Sequence, residues 1–178
     1  MKRVISLFAL LCIVFSFASC KNGEDNTADT STKQPVGADA ETIEEYYDGF
    51  CSRLDLKMTK KARNFIRFDS GIFIANYLDF SKYKVVDFDF PSYYEDPEGF
   101  EGDIGKFENL TVMSSFVQNN GSKSGILLQL TDGRNGYYVY MFGNYQEIPE
   151  GETVSFTALP LCVNREEDSV LLAGICFI

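Results

Sequence analysis

The 178-residue sequence contains no histidine and no tryptophan. Without imidazole, a Ser-His-Asp triad, a Cys-His pair and histidine-based zinc or copper sites are excluded. Carboxylate pairs, Ser-Lys arrangements and oxygen-ligand metal sites survive that cut. Without indole, the 16 phenylalanines and 10 tyrosines carry all the aromatic burial. Positive charge is scarce as well, with 16 basic residues against 26 acidic ones and a net charge of −10. A field of that sign repels phosphate backbones, so nucleic acid is not an expected partner. Long apolar runs are limited to one, Val4 to Phe17, of 14 residues. That is short for a stable bilayer crossing but fits the core of a secretory leader.

The order around that run is informative. Met1-Lys2-Arg3 forms a basic head, the apolar run follows, then small Ala18 and Ser19, then Cys20. Beyond Cys20 the chain turns polar at once, with Lys-Asn-Gly-Glu-Asp-Asn-Thr. Phe17-Ala18-Ser19-Cys20 resembles the lipobox of bacterial lipoproteins. The resemblance implies diacylglycerol on the Cys20 thiol, cleavage just before it, and attachment to a membrane through the lipid. Two or more acyl chains, at about 0.8 kcal/mol per buried methylene, would make that attachment lasting. Cleavage after Ala18 by an ordinary signal peptidase stays open, because Ser16-Phe17-Ala18 fits the small-x-small pattern. By the same resemblance, Lys21 after the cysteine implies outer-membrane sorting. Glu24 and Asp25 resemble surface-export signals, which leaves the periplasmic or surface face undetermined.

Composition divides the chain into residues 1–19 as leader, 20–40 as lipidated cysteine and disordered tether, 41–100 as a helix-containing segment, and 101–178 as a β-rich domain. The leader contributes only Lys2 and Arg3 as charges, so the remainder has 14 basic against 26 acidic groups, a net of −12. Cys51, Cys162 and Cys176 remain after the leader and Cys20 are set aside. An odd number in an oxidising compartment allows one intramolecular disulfide at most, and buried thiols acting as small apolar residues are the simpler expectation.

Ile43, Tyr46, Tyr47, Phe50 and Leu54 recur at spacings of three and four, which predicts an amphipathic helix over 41–55. Lys57, Lys60, Lys61, Arg63 and Arg67 form the one basic cluster, on a helical face through Met58, Ala62, Phe65 and Ile66. It reads as a solvated face balancing acidic neighbours, with an anion or headgroup site as the alternative. Ile72 to Leu78 is ambiguous between strand and buried helix. Lys84 to Phe90 predicts a strand ended by Pro91. Residues 92–103 follow as an acidic loop with Glu95, Asp96, Glu98, Glu101 and Asp103, whose spacing is not that of an EF-hand. No metal ligand set, cofactor or catalytic residue is assigned.

Five β-rich runs then alternate with turn chemistry: Leu110–Gln118, Gly125–Leu130, Tyr137–Phe142, Thr153–Leu161 and Val170–Ile178. Turns at this spacing predict a small closed barrel or a β-sandwich. The stretch from about 105 to 178, with Ile148-Pro149-Glu150-Gly151-Glu152-Thr153-Val154-Ser155-Phe156 leading into the fourth run, resembles the OB-fold domains related to tRNA-anticodon binding. The expected fold is therefore mainly β with an N-terminal helical segment and an OB-like five-stranded barrel, the small β-sandwich being the alternative. Alternation points Ile126, Leu128, Leu130, Val139 and Met141 inward and Gln129, Tyr138, Tyr140 and Phe142 outward, although the phase could be reversed with Tyr137 outside. The resemblance implies ligand binding on that outward face of the second and third strands, so these four residues are the candidate binding face. The competing expectation is that the helix over 41–55 lies on it. Function is expected to be binding or assembly with an envelope protein or a glycan. The alternative is a glycan hydrolase using paired carboxylates.

Overall fold

The computed structural model describes residues 40–74, 79–119, 121 and 124–178. The leader, Cys20, the tether up to residue 39 and residues 75–78 of the ambiguous apolar run lie outside the described residues. Helical segment and barrel belong to one compact unit. The elements are α1 (Ala40–Ser52), α2 (Lys60–Asp69), a 3-10 turn (Ser70–Phe73), a second (Phe80–Lys82), β1 (Val85–Asp87), α3 (Phe90–Glu95), a third 3-10 turn (Pro97–Gly99), β2 (Ile104–Gln118), β3 (Gly125–Thr131), β4 (Gly136–Phe142), β5 (Thr153–Asn164) and β6 (Ser169–Phe177).

The sheet closes. Its order is β1-β2-β3-β4-β6-β5, and β5 pairs back onto β2. Strands β2 to β6 thus make a five-stranded mixed barrel with β4 and β6 parallel, the OB-like arrangement, and β1 lies outside it, parallel to the start of β2. The sandwich alternative is set aside by the β2–β5 pairing.

Closure depends on β2, which serves two neighbours. Gly105, Lys106 and Phe107 pair with Ala158, Thr157 and Phe156 of β5, while Ser114 to Gln118 pair with Gln129 to Gly125 of β3. Between these stretches the register slips twice, at Phe107/Leu110 and at Val112/Ser114. Asn109 sits at the first slip with φ of 54°, a left-handed conformation that Asn tolerates. Such bulges bend a strand and increase its twist. The strand predicted over Leu110–Gln118 thus begins earlier, at Ile104, and the polar pair Glu108-Asn109 lies at its first bulge.

The barrel interior holds Phe107, Leu110, Val112, Ile126, Leu128, Leu130, Tyr137, Val139, Met141, Phe156, Ala158, Val170 and Leu172. Tyr137 is inside, so the phase is the one that turns Tyr138, Tyr140 and Phe142 outward. Both ends are filled. At one end Tyr145 and Ile148 of the β4–β5 link pack on the interior. Ser115 pins that link, its Oγ donating to the Ile148 carbonyl at 2.9 Å and accepting from the Ile148 N–H at 3.0 Å. At the other end, Phe90 and Tyr93 of α3 join the interior with Phe88 and Phe100 against them.

The predicted strand over Lys84–Phe90 is therefore shorter than expected, and the region after it is not a simple loop. The Asp89 side chain accepts from the Ser92 N–H at 3.0 Å and caps α3, and Pro91 falls in the first helical turn, where its missing N–H costs nothing. Pro91 starts a helix here instead of ending a strand.

A second apolar layer lies outside the barrel. Ile43, Tyr47, Phe50 and Cys51 of α1, Ala62 and Ile66 of α2, and Ile72 and Phe73 of the 3-10 turn are buried. So are Leu159, Leu161, Cys162, Leu171 and Ala173. Alternation from Ala158, Val170 and Leu172 puts Leu159, Leu171 and Ala173 on the outer face of β5 and β6. α1 and α2 are joined by the Arg63 guanidinium, which meets Asp48 at 2.6 Å and Glu44 at 3.0 Å, and by Arg67 with Glu44 at 2.6 Å.

Candidate functional site

Cross-strand register builds the candidate face. Gln129 is opposite Tyr138, Leu127 opposite Tyr140 and Gly125 opposite Phe142. On β2, Ser114 stands opposite Gln129 and Phe116 opposite Leu127. The four predicted residues do share one face, but it divides into an apolar half and a polar half.

Helix α1 occupies the apolar half. The Tyr46 ring lies 4.5 Å from that of Tyr140 and 5.1 Å from that of Phe142, centroid to centroid. The Tyr47 ring meets Phe142 edge-on at 5.6 Å, and its hydroxyl donates to the Tyr140 carbonyl at 3.1 Å. Tyr46 donates to Gln118 Oε1 at 3.4 Å. Tyr140 is left 2% exposed and Phe142 6%. Burial pushes the Tyr46 hydroxyl up to about 12 and also raises Tyr47 and Tyr140 well above the ordinary tyrosine value.

Glycine makes one approach on this face possible. A Cβ on Gly125 would collide with the Met141 carbonyl oxygen and with the end of the Tyr140 side chain. Only hydrogen fits there, and the Tyr140 ring settles over the glycine.

The polar half is a hydrogen-bond relay in one direction. Ser114 Oγ donates to Gln129 Oε1 at 3.4 Å, Gln129 Nε2 donates to the Tyr138 hydroxyl at 3.3 Å, and Tyr138 donates to Glu167 Oε2 at 3.1 Å. The relay crosses three strands and ends on a carboxylate of the β5–β6 turn. Burial, then the Glu167 charge, raises the Tyr138 hydroxyl above its ordinary value. The Tyr138 ring itself is 5% exposed, so this half presents polar atoms and not an open aromatic plane. The same turn holds α3: Tyr94 donates to Asp168 at 3.0 Å, and the Arg165 guanidinium sits 4.8 Å above the Tyr94 ring.

Sequence reasoning did not find Ser114 or Glu167. Ser114 reaches Gln129 only because the register slips beside Met113, and Glu167 comes from a turn that reads as plain polar sequence. Three members of the basic cluster have partners within the fold, Arg63 on Glu44 and Asp48, Arg67 on Glu44 and Lys61 Nζ on the Phe100 carbonyl, while Lys57 and Lys60 are exposed. Residues 92–103, expected as an acidic loop, instead hold the end of α3, with Tyr93 buried, and the third 3-10 turn. Among the described residues no group of three or more Cys, Asp or Glu is placed to hold a metal ion, and no helix is long and apolar enough to cross a membrane.

Among the described residues, the carboxyls of Glu44, Asp79, Asp89 and Asp132 move down from their ordinary values. Arg67 holds Glu44 low, opposed by burial and helped by Arg63. Asp79 and Asp89 are held low by Ser81 and Ser92. At Asp132 burial pushes up, but hydrogen bonds from Asn135, Arg134 and Tyr137 prevail. No family model, no curated protein and no solved structure matches the chain.

Proposed function

We propose that this chain is an envelope lipoprotein, anchored through Cys20 and sorted to the outer membrane, whose OB-like barrel binds or assembles with an envelope partner and performs no chemistry of its own. The observation that carries the anchor is the ordered run of basic head, 14-residue apolar stretch, Ala18-Ser19 and Cys20. The binding half of the reading is supported by the relay from Ser114 to Glu167, which offers hydroxyl, amide and carboxylate atoms beside a helix-covered aromatic surface. Such a set suits the hydroxyls of a glycan or the polar rim of a protein partner. The hydrolase alternative needs a pair of free carboxylates, and Glu44 is not one of them, being committed to two arginines.

Fractionation of cells producing the full chain tests the anchor. The wild-type protein is expected in the membrane pellet and Cys20→Ala in the soluble fraction; a membrane-bound Cys20→Ala protein removes the anchor. A photo-crosslinking residue at position 129 tests the face in the same cells. Adducts at 129 that are absent when the probe sits at exposed Asn144 support it, and equal labelling from both positions counts against it.

A further inference from the structure

Cys51 and Cys162 are 111 positions apart in sequence, yet their sulfurs lie 3.4 Å apart. Cys51 is in the last turn of α1 and Cys162 is on β5. Both are buried, with 0% and 4% of their surface exposed. The approach is prepared locally. β5 slips register between Pro160 and Cys162, and at that slip the Thr59 N–H donates to the Leu161 carbonyl at 2.8 Å. The chain leaving α1 is thus fastened to the same point on β5 that presents Cys162. Cys176 is elsewhere, on β6, with its sulfur 3.3 Å from Thr157 Oγ1.

We propose that Cys51 and Cys162 are a disulfide site that fastens α1, and with it the cover over Tyr140 and Phe142, to the barrel, while Cys176 stays a free thiol. The sulfurs, at 3.4 Å, have to close by about 1.4 Å to reach the bonded distance of about 2 Å. The oxidant is a disulfide of the envelope, either a dithiol–disulfide oxidoreductase or a small disulfide. The two protein thiols give up two protons and two electrons, one new S–S bond forms, and the oxidant's S–S bond breaks to give two thiols. The proposal rests on the export reading only for the supply of that oxidant.

Burial sets the timing. The Cys162 thiol alongside, and then burial, push the Cys51 thiol well above its ordinary range, so little thiolate exists once the fold is complete. Exchange must take place while the chain is folding or when α1 opens locally. Once formed, the bond is shielded from reductants by the same packing.

Two preparations test this separately from export. In the first, the full chain with its leader is produced in a bacterium whose envelope is oxidising, then alkylated without reductant and mapped by peptide mass spectrometry. The expected result is a joined Cys51–Cys162 peptide pair, lighter by two hydrogens than the dithiol pair, with Cys176 alkylated. In the second, the full chain carrying Cys12→Ala and Cys20→Ala is refolded from urea in a glutathione and glutathione-disulfide buffer. The same pair should form, persist in Cys176→Ser and be lost in Cys51→Ser and in Cys162→Ser. Reductant should lower the thermal midpoint of the refolded chain and leave that of the Cys51→Ser variant unchanged. The disulfide site is overturned if the refolded chain alkylates at all three positions, if Cys176 is joined to either partner, or if envelope-located protein carries free Cys51 and Cys162. A joined pair after refolding, together with a chain that stays in the cytoplasm, upholds the site and overturns export.

Discussion

Asn109 shows how much a single backbone angle decides. At φ of 54°, with its N–H on Ser155 Oγ at 3.0 Å, it forms the bulge that shifts the register of β2 against β5 between Phe107 and Leu110. Replacement by glycine keeps the conformation at little cost, whereas a β-branched residue resists it. Asn109→Val is therefore expected to lower the unfolding free energy by about 1–2 kcal/mol and Asn109→Gly to stay near wild type, read from urea denaturation midpoints. Equal effects of the two would show that the side chain, and not the angle, matters. This residue also marks a limit of sequence reading. A polar pair inside an alternating run signals a strand end as readily as a bulge, and only the partner strands on either side decide which.

At the scale of elements, the strands and α1 are legible because each carries its own local signal. β3, β4, β5 and β6 lie within a few residues of the runs picked out by alternation and turn chemistry, and α1 follows the stripe from Ile43 to Phe50 but ends at Ser52, before Leu54. The role of α3 is not legible. Its flanks are acidic, and Pro91 lies within it and Pro97 just beyond, yet Phe90 and Tyr93 fill one end of the barrel, a role visible only once Phe107 and Tyr137 are beside them. The candidate face is half legible for the same reason: alternation places Gln129, Tyr138, Tyr140 and Phe142 on one side, but the relay partners arrive from other strands. Docking of α1 can be tested at Tyr47. Tyr47→Phe removes the hydroxyl that donates to the Tyr140 carbonyl and keeps the ring, for an expected loss of about 1 kcal/mol. Tyr47→Ala also empties a fully buried site, for about 3–5 kcal/mol. Similar midpoints for the two variants would mean that the ring contributes nothing beyond its hydroxyl.

The molecule as a whole is held by aromatic burial, which gives its stability a particular pH dependence. Burial keeps Tyr46, Tyr47, Tyr93 and Tyr140 protonated well above the ordinary tyrosine range. Below about pH 10 the hydroxyls are protonated in both the folded and the unfolded chain, so they make no difference. Above that, the unfolded chain ionises and the folded one does not, so stability falls as pH rises; the Tyr46 part levels off near 12. Urea midpoints should decline from about pH 10 upward, and tyrosinate absorbance should appear together with unfolding. Gradual tyrosinate formation in a chain that remains folded would contradict this.

The parallel partnership of β4 with β6 has a consequence for biosynthesis. β6 is the last strand in order, yet it stands between β4 and β5 and bonds to both. A chain that folds as it is made can zip β2, β3 and β4 as successive hairpins, but a gap beside β4 stays open until residues 169–177 arrive. Throughout that interval Val139 and Met141 lack their lid, and an unsatisfied row of backbone groups invites neighbouring nascent chains. A premature stop shortly before Ser169 would extend the interval indefinitely, turning a late truncation into an aggregation lesion.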